Sequence, residues 1–290
     1  MRPAAATLLV LLVACGVGVR ALRWPEVFVG DAIVFPIGDA YYHLRRAEYT
    51  LANPGRVLLF DPLVNQPDGA WIPWPPLHTL LLAGAAHVAG GTREALERVA
   101  AWYPPLLGAA TALPVYGAAR SVGGPGVALL AAAIAALLPA SVTYSDLGNA
   151  DHHVTVSFFG ALWLWGALLA MRADGGRRLA AAQALAAAGR LGVVFTWAGS
   201  LLYVLIADGA CVAIALLCGR VRLLRATALG LAACAVVAWL AVPLLGPPVG
   251  GPYSTLALSY LHPAAMAALA FQALACAWLE ARRPARGVAL

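Results

Sequence analysis

Apolar runs long enough to cross a lipid bilayer recur along this chain, and that property excludes an ordinary water-soluble fold. They cover residues 4–22, 101–119, 125–143, 154–171, 179–197, 198–218, 226–246 and 263–279, with a shorter run at 76–91. A membrane helix needs about 20 such residues to traverse the hydrocarbon. Only 11% of residues are charged and the mean hydropathy is +0.81, whereas soluble domains carry about 25% charge. The pattern predicts an all-α, polytopic membrane helix bundle of about eight spans. Segment 76–91 is short, starts at Pro75-Pro76 and contains His78 and His87, so it reads as a re-entrant or surface-lying helix. Residues 4–19 follow Arg2 as a secretory signal would, but no small-x-small cleavage pattern follows, which makes this run an uncleaved first span.

Arginine placement orients the bundle. All 19 basic residues are arginine. With abundant Ala, Gly and Pro, this reads as genomic composition, so the net charge of +6 carries no nucleic-acid inference. Cytoplasmic loops collect basic residues. With the amino terminus inside and 76–91 not crossing, the inside loops hold Arg120, Arg172, Arg177, Arg178, Arg220, Arg222, Arg225, Arg282, Arg283 and Arg286. If 76–91 crossed, these clusters would change sides. Both termini are then cytoplasmic, and residues 23–100 form a large first extracytoplasmic loop containing short helices, one of them at 40–52 with Tyr41, Leu44, Ala47 and Leu51 on one face. Residues 144–153 lie on that same outer side. The five cysteines show no CxxC pair and read as small core residues. Arg190 and Asp208 fall inside apolar runs; each is costly alone, and they read as a structural ion pair rather than catalytic or transport groups.

The densest polar stretch is Pro36-Ile-Gly-Asp39-Ala-Tyr-Tyr-His43-Leu-Arg45-Arg46-Ala-Glu48. A plain reading is a solvated loop with a helix capped by Asp39. The second stretch is Tyr144-Ser-Asp-Leu-Gly-Asn-Ala-Asp151-His152-His153, where Asp151 could equally be a helix cap. If the two meet, Asp39, Asp151 and His153 offer oxygen and nitrogen donors suited to Mg²⁺ or Mn²⁺. Such an ion balances the charge of a phosphate leaving group.

Gly38-Asp39-Ala40-Tyr41-Tyr42-His43-Leu44-Arg45 resembles the first acidic motif of the catalytic subunit of oligosaccharyltransferase, especially its archaeal and bacterial single-subunit forms. Phe60-Asp61-Pro62, Asn65-Gln66-Pro67-Asp68-Gly69, Trp74-Pro75-Pro76-Leu77 and Thr196-Trp197-Ala198-Gly199 are similar to later family segments. Gly148 through Val154 resembles the second acidic motif in its archaeal form, where an Asp and the His two residues later bind metal. The blocks keep the family order over most of 1–210.

The resemblance implies a membrane glycosyltransferase that moves a glycan from a polyprenyl (pyro)phosphate lipid to the Asn amide of an acceptor polypeptide, on the outer face. Asp39 would bind metal and contact the acceptor amide, as the catalytic carboxylate. Asp151 and His153 would hold the ion, Mn²⁺ or Mg²⁺. His43, Arg45, Arg46, Tyr144 and His152 are the further candidates for contacting substrate. Residues 1–290 are expected to form one transmembrane glycosyltransferase-like domain with no soluble carboxy-terminal domain. The family's outer-loop Glu and its Trp-Trp-Asp-Tyr-Gly motif have no counterpart, since no Glu occurs between Glu97 and Glu280. Tyr144 stands where the family often has Arg, and Val156 where archaeal forms often have Glu. Two readings follow: a metal-dependent glycan transferase, or a truncated non-catalytic relative that binds lipid-linked glycan or needs a partner chain for activity.

Overall fold

The computed structural model describes residues 3–282; Arg2, Arg283 and Arg286 lie outside the described residues. The chain is helical almost throughout. In order come α1 (Pro3–Arg20), α2 (Trp24–Val27), α3 (Gly38–Ala52), α4 (Leu77–Val88), α5 (Arg93–Ala110), α6 (Ala112–Val122), α7 (Pro125–Leu137), α8 (Pro139–Thr143) and α9 (His153–Arg172). They are followed by α10 (Gly176–Val194), α11 (Leu201–Leu217), α12 (Val221–Ala241) and α13 (Leu261–Ala281). Two small antiparallel hairpins interrupt the segment before α4: β1 (Phe28–Val29) with β2 (Ala32–Ile33), and β3 (Phe60–Asp61) with β4 (Ala70–Trp71).

Among the described residues, five helical stretches are long and apolar enough to cross a membrane: Pro3–Val27, His153–Arg172, Ala198–Leu217, Val221–Leu245 and Leu261–Ala281. Three runs read as spans in the sequence are not among these five stretches. Run 101–119 is divided between α5 and α6 at Thr111, and α5 starts in the charged stretch Arg93-Glu94. Run 125–143 breaks before Pro139, because a proline disfavours helical backbone in the residue ahead of it. Run 179–197 lies in α10, which carries Arg177, Arg178 and Arg190. Segment 76–91 forms α4, whose 12 residues reach only about 18 Å at 1.5 Å per residue.

The helices are apolar on their outer faces as well as in their cores, and the polar residues they carry are largely buried. Leu229, Val236, Val237, Trp239, Leu240 and Phe271 are exposed, while Arg20, Gln183, Arg190, Asp208 and Thr227 are buried. Arg190 on α10 pairs with both carboxylate oxygens of Asp208 on α11, at 2.7 and 2.6 Å, as the sequence predicts. Helices α9 and α10 pack closely through glycines: a Cβ on Gly166 would strike the Ala186 backbone, and one on Gly189 the Trp163 backbone. Small residues permit such approach between helices.

Several backbone links gather the polar segments at one end of the bundle. Leu147 N–H donates to the Arg20 carbonyl and Gly148 N–H to that of Ala101. Leu77 N–H donates to the carbonyl of Phe195, just past α10. His262, in the first turn of α13, reaches the Ala198 carbonyl ahead of α11 at 2.7 Å.

Candidate functional site

Helix α3 presents the first motif. Ala40, His43, Leu44 and Ala47 are its buried face, spaced at i, i+3, i+4 and i+7 as one helical stripe. Ala40, Leu44 and Ala47 pack with Leu82, Ala83 and Ala86 of α4 and Leu96 and Ala100 of α5. Tyr41, expected on that face, is instead exposed, so the stripe is turned toward His43. Asp39 is exposed in the first turn, where a carboxylate suits the helix dipole. It makes no hydrogen bond or ion pair among the described residues, and it stands one turn before His43.

The second motif turns sharply ahead of α9. Gly148 has φ of 80°, and a Cβ there would come within 3.0 Å of Pro36 and 3.1 Å of Val27, so glycine is required where the two motifs meet. His152, not Asp151, occupies the cap position of α9, with no side-chain cap hydrogen bond. The Asp151 carboxylate is thus free of capping and is buried among histidines. His43 Nε2 lies 3.2 Å from Asp151 Oδ1, His152 Nδ1 2.6 Å from the same oxygen, and His153 Nε2 3.2 Å from Oδ2. The backbone N–H of His152 also donates to Oδ1 at 2.6 Å.

Burial alone would raise the Asp151 pKa, but the hydrogen bonds from His152 and His43 outweigh it and hold the carboxyl well below its usual range. Burial lowers the His43 pKa, against the pull of Asp151, so this imidazole is neutral at pH 7. If His43 Nε2 and His152 Nδ1 both carry protons toward Asp151, their other nitrogens must be bare acceptors. Those atoms, His43 Nδ1 and His152 Nε2, are buried without any hydrogen-bond partner. A cation beside the carboxylate would take one lone pair from each ring and replace the crowded N–H donors around it. His43, Asp151 and His152 offer ligand atoms within 4.8 Å of one another, and one carboxylate with imidazoles fits a borderline divalent ion. The residues therefore fit such a cation.

The structure sets His43, His152 and His153 around Asp151; Asp39, exposed one turn before His43, makes no contact with this group among the described residues. The arginines lie outside the cluster. Arg45 forms a two-point pair with Asp61 at 2.9 and 3.1 Å. Arg46 is buried, donates to the Trp74 carbonyl at 3.0 Å and has its pKa lowered by burial to about 10. Tyr144 is exposed and sets its ring edge against His153, 5.3 Å between centroids. Both line a cavity of about 450 Å³ with Leu138, Val156, Trp197 and Tyr203. Sequence reasoning noticed His78 only as a polar residue in a short apolar run; here it is buried, 4.9 Å from the His43 ring.

Residues 28–276 match the family described as "Oligosaccharyl transferase STT3, N-terminal". A curated relative, dolichyl-phosphooligosaccharide-protein glycotransferase 2 of Archaeoglobus fulgidus, is 34% identical over 161 residues, 55% of this chain and 26% of that protein. The solved archaeal oligosaccharyltransferase AglB of the same organism, in complex with an inhibitory peptide and a dolichol-phosphate, superimposes with a TM-score of 0.86 at 25% identity. The superposition covers 97% of this chain and 33% of that one. A crystal structure of an A. fulgidus oligosaccharyltransferase in complex with Zn and sulfate matches at a TM-score of 0.84 and 25% identity, over 94% of this chain and 35% of that one. The chain thus spans about a third or less of these relatives. With a profile match across nearly its whole length, and with both acidic motifs at one end of a matching bundle, the chain belongs to the oligosaccharyl transferase STT3 amino-terminal family, in its archaeal type.

Proposed function

We propose that this chain is the membrane-embedded catalytic part of a glycosyltransferase that moves a glycan from a polyprenyl-phosphate lipid to an Asn side chain of an acceptor polypeptide. The observation that carries this reading is the buried Asp151 carboxylate ringed by three imidazoles, two of which have an unpartnered nitrogen. Relatives of matching fold bind a dolichol-phosphate and a peptide in one case, and Zn with sulfate in another.

In this mechanism Asp151 and His153, with His43 and His152, would hold a divalent cation. When bound, the ion offsets the negative charge of the phosphate leaving group. The imidazole content favours Mn²⁺ over Mg²⁺. Asp39, exposed and unpaired, accepts a hydrogen bond from the acceptor amide and orients its nitrogen. Arg45, locked on Asp61, fixes the loop rather than the substrate, and Arg46 ties α3 to Trp74. The cavity bounded by Tyr144, His153, Trp197 and Tyr203 receives the first isoprene units of the donor. All of this lies on the extracytoplasmic face, with residues 23–100 as the first outer loop, both termini cytoplasmic and about eight crossings, α4 excepted.

The test is glycan transfer from a polyprenyl donor to an Asn-x-Thr peptide with Mn²⁺, with and without an added carboxy-terminal part from a relative. Transfer by the wild type that stops on chelation, and that falls at least about 100-fold in Asp39→Ala and Asp151→Ala, is the expected result. Undiminished transfer in both variants would overturn the assignment. A wild type that binds the donor but never yields product would make the chain a non-catalytic binder.

A further inference from the structure

We propose that Tyr103, Thr155 and His78 form a hydrogen-bond relay that positions Asp151, making them positioning residues of the site. The inference rests on the cation reading above for its binding arm and on local geometry for the rest.

The three residues come from three elements: His78 from α4, Tyr103 from α5 and Thr155 from α9. His78 Nε2 lies 3.1 Å from the Ala150 carbonyl oxygen, His78 Nδ1 2.9 Å from Thr155 Oγ1, and Thr155 Oγ1 2.9 Å from the Tyr103 hydroxyl. Proton placement in this chain is determined. A carbonyl only accepts, so His78 Nε2 carries the proton. Its Nδ1 is then bare and accepts from the Thr155 hydroxyl. That hydroxyl has spent its proton, so Tyr103 must donate to it. Burial of His78 favours the neutral ring that this pattern needs.

The relay ends on the carbonyl of Ala150, the residue before Asp151. It fixes the peptide from which that carboxylate projects. The His78 ring also stands edge-on to His43, at 82° and 4.9 Å, and so sets the plane of one of the imidazoles on Asp151. A histidine that merely filled core space would need neither a hydroxyl at one ring nitrogen nor a carbonyl at the other. Outer hydrogen bonds that orient metal-binding side chains change affinity by about 10- to 100-fold when removed.

The test uses the 290-residue chain in lipid nanodiscs with Thr155→Val, which replaces the hydroxyl by a methyl of similar shape, and with Thr155→Ser, which keeps the hydroxyl. Hydrogen exchange of the metal-free protein reads the peptide covering 148–153, and Mn²⁺ titration by electron paramagnetic resonance reads the site. In Thr155→Val, exchange at 148–153 should rise at least about 10-fold and Mn²⁺ affinity fall about 10-fold, with α12 and α13 unchanged; Thr155→Ser should match the wild type. Unchanged exchange, unchanged affinity, or a uniform acceleration that includes α12 and α13 would each overturn the relay. A wild type that binds no Mn²⁺, with 148–153 still loosened by Thr155→Val, would refute the cation reading and leave the positioning of Ala150–Asp151 standing.

Discussion

The Arg190 guanidinium grips both oxygens of Asp208, touches Cys234 Sγ at 3.4 Å and lies 5.5 Å from the Trp163 ring centroid. Two ions in an apolar interior are tolerable only because each satisfies the other. Asp208→Ala strands a buried guanidinium and should cost about 3–5 kcal/mol, whereas the double change Arg190→Met with Asp208→Leu should restore most of that loss. Thermal unfolding in nanodiscs measures both. In the loop ahead of α4, the buried Asp61 has its pKa lowered by the hydrogen bond from the half-exposed Arg45. A carboxyl depressed in the folded state stabilises above its unfolded pKa of about 3.9, and the gain is lost as pH falls through the lower folded value. Asp61→Asn should therefore lower stability at pH 7 and weaken its dependence on pH in the acid range, as acid titration of the unfolding midpoint would read.

At the scale of elements, α9 and α10 sit as close as they do because Gly166 and Gly189 leave room for the partner backbone. Gly189→Leu should cost about 1–3 kcal/mol by overpacking. Gly160→Leu, also on α9 but with nothing within 4 Å of its added Cβ, should stay within about 0.5 kcal/mol of the wild type; the same unfolding assay separates them. The spans that are continuous apolar runs were legible in the sequence, because lipid admits little else at that length. The divided run at Thr111 and the charged entry to α5 were not, since hydropathy averages over a kink. Likewise Asp151 and His153 were legible as a local motif. His43 on Asp151, and His78 on Thr155 across 77 residues, arise from how α3 and α4 pack, which no short-range spacing encodes. Tyr41 was placed on the wrong face of α3 for the same reason: counting only apolar residues missed that a histidine leads inward.

For the molecule as a whole, the proposed orientation is open to direct labelling. In a cysteine-free background, Asp68→Cys should react with an impermeant thiol reagent from the extracytoplasmic side and Asp174→Cys only after permeabilisation; both positions are exposed. The reverse pattern would invert the bundle. Ala150 is fully buried, so a cysteine there would not report sidedness. One feature of the bundle also bears on its biogenesis. Arg20, at the end of α1, is enclosed by the Gly16 and Ala136 carbonyls and the Ser141 and Ser145 hydroxyls. Three of those four partners lie 116 to 125 residues downstream. While the ribosome is still making them, the charge at the foot of the first helix must be solvated by water or lipid headgroups. Helix α1 is therefore made well before it can reach its final seat, and it waits there for the α7–α8 segment to arrive.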